Sequence, residues 1–155
     1  MVAIGDVPTI RRRLASMLYD GLLLLGVIAV GMIGPHLLIG WLGGAVVSGV
    51  WLWLHLFVLI GLYFVWYWIH GGQTLAMQTW KIKLDGANGQ PPSMVALACR
   101  YTFAWPSVLI FGTGILWALL DPDRQFLHDR LAGTRLRLTT GVPPTTAVML
   151  QQAEK

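Results

Sequence analysis

The stretch RRRLASMLYDGLLLLGV, residues 11–27, places three arginines directly before an apolar run that contains one carboxylate, Asp20. Of the 155 residues, 55% are hydrophobic and 12% are charged, about half of the charged share of a typical soluble domain. Residues 21–80 contain no Asp, Glu, Lys or Arg, and residues 101–120 form a second uncharged run. Because a membrane-spanning helix needs roughly 20 apolar residues, the pattern predicts a small polytopic membrane protein.

The two uncharged runs predict about three transmembrane helices. The first span is expected at 14–33, ending at Gly34-Pro35, and the second at 45–69. The third segment, 94–120, contains Trp105-Pro106 and a Gly-Thr-Gly sequence at 112–114. Proline and glycine interrupt helices, so this segment is predicted to be bent or re-entrant.

The positions of Lys and Arg predict the orientation. They precede the first span, recur at Lys81 and Lys83, and are frequent after residue 120, which favours a cytoplasmic N-terminus in a bacterial inner membrane. A straight third span would place the basic C-terminal segment outside. However, KIKL at 81–84 and RLRL at 135–138 alternate like half-buried strands, and two paired strands must lie on one face of the membrane. We therefore favour a re-entrant third segment.

The segment LDPDRQFLHDRLAGT, residues 120–134, is predicted to form a short cytoplasmic amphipathic helix that begins at Asp121-Pro122 and ends at Gly133. Its apolar and polar side chains are expected to separate. The bilayer side would hold Phe126, Leu127 and Leu131, and the water side would hold Arg124 and Asp129. The predicted fold is an all-α membrane protein with one domain, residues 1–140, a two-stranded ribbon, and a flexible tail, 141–155.

Asp20 is the first candidate functional residue. An unpaired carboxylate in hydrocarbon costs about 3 kcal/mol or more, so we expect Asp20 to have a partner. Arg13 is seven residues earlier, about 10 Å along the same helix face. Arg100 is at a similar predicted depth in the third segment, and we expect it to pair with Asp20. The group Asp20, Arg13 and Arg100 is either an ion- or proton-binding network or a structural link between helices.

Other chemistry is weakly indicated. His55, deep in the second span, is either a proton relay or a packing residue. His70, His128 and Asp129 lack the spacing of a metal site, so we expect no metal and no other cofactor. Intramembrane aspartyl proteases need a second intramembrane aspartate, and hydrolase or nucleotide-binding motifs are missing. We therefore expect no catalytic residues and no enzymatic activity. Because the aromatic residues lie inside the spans, we expect no nucleic-acid partner.

With these residues in hand, the chain resembles the RDD family of small membrane proteins, named for one arginine and two aspartates. The resemblance rests on RLASMLYDGLLLL, with Arg13 and Asp20, and on LLDPDRQFLHDRLAGT, with Asp129 as the second aspartate. It marks a cytoplasmic motif, which consists of His128, Asp129, Arg130, Gly133 and Thr134. The segment GGQTLAMQTWK resembles a third family motif but has Ala76 and Met77 where the family has glycine and lysine.

The resemblance implies transport, because the family is suspected of moving unidentified ligands and some members are linked to sodium–proton exchange. The first hypothesis is an inner-membrane transporter that exchanges small cations and protons or carries a small ligand. It would act as a homo-oligomer, since about three short spans enclose little pathway. The alternative is a non-transporting accessory or scaffold protein, in which the intramembrane charges only fix helix packing. A water-reachable Asp20 in a cavity would favour transport, and a dry, fully bonded pair would favour the scaffold.

Overall fold

The computed structural model describes residues 7–44, 48–110 and 112–139, so the predicted tail, 141–155, lies outside the described residues. Helices account for most of these residues, and the only strands among them form one ribbon. In chain order the elements are α1 (Ile10–Ile28), a π-helical turn (Ala29–Ile33), α2 (Gly34–Trp41), α3 (Gly49–Gly71), α4 (Leu75–Thr79), β1 (Ile82–Gly86), α5 (Met94–Leu109), α6 (Thr113–Leu120), α7 (Leu127–Leu131) and β2 (Thr134–Leu138).

The first membrane helix is longer than the sequence predicted. α1, the π-helical turn and α2 form one continuous apolar helix of 32 residues. The prediction that Gly34-Pro35 ends the helix is wrong, because Pro35 occupies the first turn of α2, where a missing N–H is tolerated. The preceding π-helical turn is the kind of local distortion by which a helix continues past such a residue; there the amide of Gly34 donates to the carbonyl of Ala29.

The remaining apolar segments agree with the predicted fold class. α3 has 23 residues and is long and apolar enough to cross a membrane. The third segment is divided into α5 and α6, whose axes differ by 96°. Pro106 lies inside α5, and Gly112, with a left-handed φ of 66°, precedes α6. The prediction of a bent third segment is therefore confirmed.

The predicted ribbon is also confirmed. β1 and β2 pair antiparallel, from Ile82 opposite Leu138 to Gly86 opposite Thr134. Ile82 and Leu84 are almost fully buried and join a core with residues of α3, α4 and α5. Because the ribbon pairs the strand before α5 with the strand after α6 and α7, it brings both ends of the bent segment to one end of the molecule. We call this the ribbon end.

The short helix before β2 differs from its prediction. α7 comprises only five residues, and both Phe126 and Asp129 are 1% exposed. The expectation that Phe126 faces the bilayer while Asp129 stays in water is therefore wrong. Phe126 packs beneath the guanidinium of Arg13, and Asp129 forms an ion pair with Arg100, so both are drawn inward by cationic partners. Leu131 points outward as predicted and is 57% exposed.

The join between α3 and the ribbon depends on one glycine, which gives a test of the fold. Gly72 has a φ of 70°, and a Cβ there would lie 2.8 Å from the carbonyl oxygen of Leu84. We expect Gly72→Ala to lower the free energy of unfolding by about 1–2 kcal/mol or more, because a left-handed residue with a Cβ is strained. Thermal unfolding in detergent micelles would measure this loss.

The adjacent Gly71 is the matched control, because a Cβ there would meet no atom within 4 Å. Gly71→Ala should leave stability unchanged within about 0.5 kcal/mol or raise it slightly. Equal losses for the two variants would contradict the assigned role of Gly72.

Candidate functional site

The buried face of α1 carries three polar side chains in a row. Arg13, Ser16 and Asp20 are its buried residues, and they are 2%, 4% and 5% exposed. Their spacing of three and four residues places them on one stripe of the helix. The predicted common face of Arg13 and Asp20 is therefore present, and it points into the protein rather than toward lipid.

Asp20 has a different set of partners from the one predicted. One carboxylate oxygen accepts a hydrogen bond from the hydroxyl of Tyr63 at 3.1 Å, and the other accepts one from the hydroxyl of Thr74 at 2.8 Å. Thr74 is also the N-cap of α4, where its hydroxyl accepts from the amide of Met77. Among the residues described, no Lys, Arg or His forms an ion pair with Asp20. The predicted Asp20–Arg100 pair is wrong.

Arg100 instead pairs with Asp129. Arg100 also donates to the hydroxyl of Thr134 at 3.2 Å, and its guanidinium lies 5.0 Å from the ring centroid of Trp68. Because α7 packs against α5, the carboxylate of Asp129 reaches Arg100 within the protein. The carboxylate neutralises a buried cation.

Arg13 joins the start of α1 to the segment before α7. Its Nε donates to the carbonyl of Pro8 at 3.0 Å, and its Nη1 donates to the carbonyl of Arg124 at 2.9 Å. The guanidinium lies over the ring of Phe126 at 5.4 Å. Arg13 is thus a connector between chain segments rather than an ion-pair partner of Asp20.

The remaining residues of the C-terminal motif have mainly structural contacts. Arg130 is half-exposed and pairs with the buried carboxylate of Asp121. Gly133 has a φ of 64°, which lets the chain turn from α7 into β2. Thr134 is 1% exposed and bonds both Arg100 and the carbonyl of Asp129.

His128 is buried, and its Nδ1 lies 3.1 Å from the hydroxyl of Ser107. Its Nε2 lies 3.5 Å from Asp129, but that carboxylate is already neutralised by Arg100. Burial, followed by the positive charges of Arg100 and Arg13, lowers the pKa of His128 from 6.5 to about 3. An imidazole with so low a pKa is a weak base at physiological pH, so we interpret the contact with Ser107 as a link between α5 and α7.

A cavity of about 290 Å³ joins these groups at the ribbon end. Its polar lining includes Arg13, Ser16, Asp20, Arg100 and His128. Apolar and aromatic side chains from α1, α3, α4, α5, the ribbon and the segment before α7 form the rest of the wall. The cavity therefore combines an apolar interior with a carboxylate that has no ion-pair partner among the described residues.

The histidine predicted deep in the second span lies apart from this cavity. The ring of His55 is 5.3 Å from the ring of His36, and neither residue lines the cavity. Within residues 7–44, 48–110 and 112–139, no three His, Cys, Asp or Glu side chains are grouped to hold a metal ion.

Two partners of Asp20 were missed by the sequence reasoning. Tyr63 was one of several aromatics near the end of a span, where rings are common as interfacial anchors. Thr74 had a stronger signal, because a threonine two residues after a Gly-Gly pair and before an apolar turn is a typical N-cap. That signal predicts a helix start but not the second hydrogen bond to α1.

The Arg100–Asp129 pair predicts a large loss of stability when one charge is removed. Asp129→Asn leaves the guanidinium of Arg100 buried without a counter-charge, so we expect the free energy of unfolding to fall by about 3–5 kcal/mol. Denaturant or thermal unfolding in detergent would measure it. Asp123→Asn is the control, because the Asp123 side chain is 53% exposed and its loss should cost at most about 0.5 kcal/mol. Similar effects for both would refute the buried pair.

The lowered pKa of His128 predicts a pH dependence of stability. The unfolded chain binds the proton below about pH 6.5, whereas the folded chain resists it until about pH 3. Stability is therefore present at neutral pH and is lost as pH falls through this window, by up to about 1.4 kcal/mol per pH unit. His128→Asn removes this contribution, so the advantage in thermal stability of the wild type over the variant should shrink on acidification. Parallel pH profiles would contradict the assignment.

Comparison with known proteins identifies a family for this chain. No solved structure matches the chain. The chain is 32% identical over 73 residues to an uncharacterized protein, RP437, of Rickettsia prowazekii (strain Madrid E). That match covers 46% of this chain and 40% of the relative, so it spans less than half of either. The RDD family matches residues 7–133, which include the full set of cavity charges and most of the C-terminal motif. The chain belongs to the RDD family.

Proposed function

We propose that this protein transports a small solute across the bacterial inner membrane and that Asp20 binds the proton or small cation that accompanies it. The observation that carries the proposal is the set of side chains in contact with Asp20. This buried carboxylate lines a cavity and is held by two hydroxyl groups, with no cationic side chain in contact with it among the described residues.

A carboxylate in this setting has two low-energy states. Hydrogen bonds from Tyr63 and Thr74 offset part of the cost of burying the negative charge, but they do not supply a counter-charge. A proton or a small cation from the cavity would supply it. The other titratable or charged groups on the cavity wall are Arg13, Arg100, His128 and Tyr101, so the electrostatic surroundings are set by two arginines and a neutral imidazole. Occupancy of Asp20 therefore changes the net charge of the cavity.

The alternative, a non-transporting accessory or scaffold protein, is supported by the other charges. An ion pair joins Arg100 to Asp129, and the guanidinium of Arg100 also lies near the ring of Trp68. Arg13 is held by a hydrogen bond to the carbonyl of Arg124 and by contact with the ring of Phe126. These residues fix the packing of α1, α5 and α7. We assign them this structural role within the transporter. In a scaffold protein, this packing role would be the sole role of the charges.

The orientation and the assembly are parts of the same proposal. The N-terminal arginines and the basic ribbon favour a cytoplasmic ribbon end. Two long helices and one bent segment enclose little space across the full membrane, so a pathway through the bilayer would require a homo-oligomer. Large hydrophobic side chains cover the outward faces of α1 and α3 and could pack on lipid or on another copy.

Proton flux in proteoliposomes tests the function. Vesicles that contain a pH-sensitive dye would be challenged with a sodium or potassium gradient. We expect the wild type to move protons and Asp20→Asn to lose at least about tenfold of the rate, because an amide cannot exchange a proton at this site. Asp123→Asn is the matched control and should retain the wild-type rate. Absence of cation-dependent proton movement with folded wild-type protein would sink the exchange hypothesis.

A second pair of variants keeps the test decisive if Asp20→Asn is unstable. Tyr63→Phe removes one donor to the carboxylate but keeps the ring. It should change the pH at which flux is half-maximal, whereas Tyr19→Phe, at a 42% exposed position, should not. A folded Asp20→Asn protein that retains full flux would favour the scaffold role of the charges.

A further inference from the structure

The cavity contains hydrogen-bond donors that the described part of the chain leaves unused. Three buried atoms that belong to residues lining the cavity have no hydrogen-bond partner in the described part of the chain: the hydroxyl of Ser16, Nε1 of Trp68 and Nε of Arg100. These side chains are 4%, 7% and 6% exposed. The indole and guanidinium nitrogens can only donate, and the hydroxyl can donate as well as accept. Because buried donors without acceptors are costly, the set favours a ligand group that accepts hydrogen bonds.

The rest of the cavity favours an apolar ligand body. Ile60, Phe64, Ala104 and Val108 contribute to this part of the wall. Leu109 also lines the cavity and is 70% exposed, so the cavity reaches the outer surface on α5 within an apolar membrane segment. A molecule dissolved in the bilayer can approach from this side. The cavity volume of about 290 Å³ exceeds the roughly 150 Å³ of an engineered apolar cavity that binds benzene, so a small organic molecule fits.

The charges select the sign of the polar group. The charge of Arg100 is neutralised by Asp129, and His128 is neutral at physiological pH. Arg13 and Asp20 then cancel while Asp20 is ionised, and one positive charge remains when Asp20 is protonated. A monoanion is therefore matched when a proton occupies Asp20, and a cation is disfavoured in that state.

We infer that the cavity binds a small amphipathic monoanion, such as a medium-chain carboxylate, and that binding is coupled to proton uptake at Asp20. The anionic head accepts hydrogen bonds from Trp68, Arg100 and Ser16, and the apolar chain lies along α3 and α5 toward the opening at Leu109. This inference rests on the proposed function, for which it names the class of solute. It also makes the ligand and the proton enter together as a neutral pair.

Calorimetric titration of octanoate into the wild-type protein in lipid nanodiscs tests the inference, with protein-free nanodiscs as the baseline. We expect one octanoate per chain, and at least about tenfold weaker binding of octylammonium. Trp68→Phe keeps an aromatic ring but removes the donor, and it should weaken octanoate binding by about tenfold or more. Trp66→Phe is the matched control, because Trp66 is on the same helix and 62% exposed, and it should bind within about twofold of wild type. Equal binding by the two variants, or equal binding of octylammonium, would overturn the inference.

Proton linkage gives a second readout from the same titration. In buffers that differ in ionisation enthalpy, the wild type should take up about one proton per octanoate bound, and Asp20→Asn should take up none while still binding. Octanoate binding without proton uptake by the wild type would overturn the coupling.

The flux assay separates this inference from the proposed function. Proton movement by a protein that does not bind octanoate would retain the transport proposal and overturn the amphipathic ligand. Specific binding of octanoate by a protein that moves no protons across vesicles, even when octanoate is added to the flux assay, would retain the site and overturn transport.

Discussion

The buried ion pair between Arg100 and Asp129 is the constraint on which the rest of the ribbon end depends. A guanidinium that is 6% exposed needs a counter-charge, and the nearest supplier is the short helix α7. The ion pair holds α7 against α5, and β2 then begins at a position where it can pair with β1. The bent third segment and the ribbon are therefore two consequences of bringing Asp129 back to Arg100.

This pairing also decides what remains for Asp20. Had Arg100 paired with Asp20, both charges would have been neutralised and the cavity would hold a dry structural link. Because Asp129 takes that place, Asp20 relies on the hydroxyls of Tyr63 and Thr74. Hydroxyl groups stabilise a carboxylate without fixing its charge, since they can bond the protonated as well as the ionised form. Asp129 therefore has a charge that is fixed by its ion pair, whereas the charge of Asp20 can change.

The fold was more predictable from the sequence than the site. Uncharged runs, the glycines near Pro106 and the alternating KIKL and RLRL segments each report local physics, and they predicted the spans, the bend and the ribbon. The error at Pro35 arose because a π-helical turn before the proline lets the helix continue past it. No residue type in the sequence predicts that turn. The partner of Asp20 was predicted from depth alone, and depth cannot distinguish two carboxylates that approach the same arginine. That choice depends on where α7 packs, which is a tertiary effect.

Because charged and apolar side chains line the same cavity, access to the charges, rather than affinity, is the central question for this molecule. The cavity is lined by Ser16, Asp20, Trp68 and Arg100 and by apolar residues, of which Leu109 is exposed at the surface. A solute dissolved in the bilayer can thus reach these polar residues through an apolar opening within a membrane segment. Entry from the bilayer is costly for a well-hydrated ion, because the ion would lose its hydration before it finds a partner. This route admits molecules with an apolar body, which is why an anion accompanied by a proton fits this geometry better than a hydrated cation does.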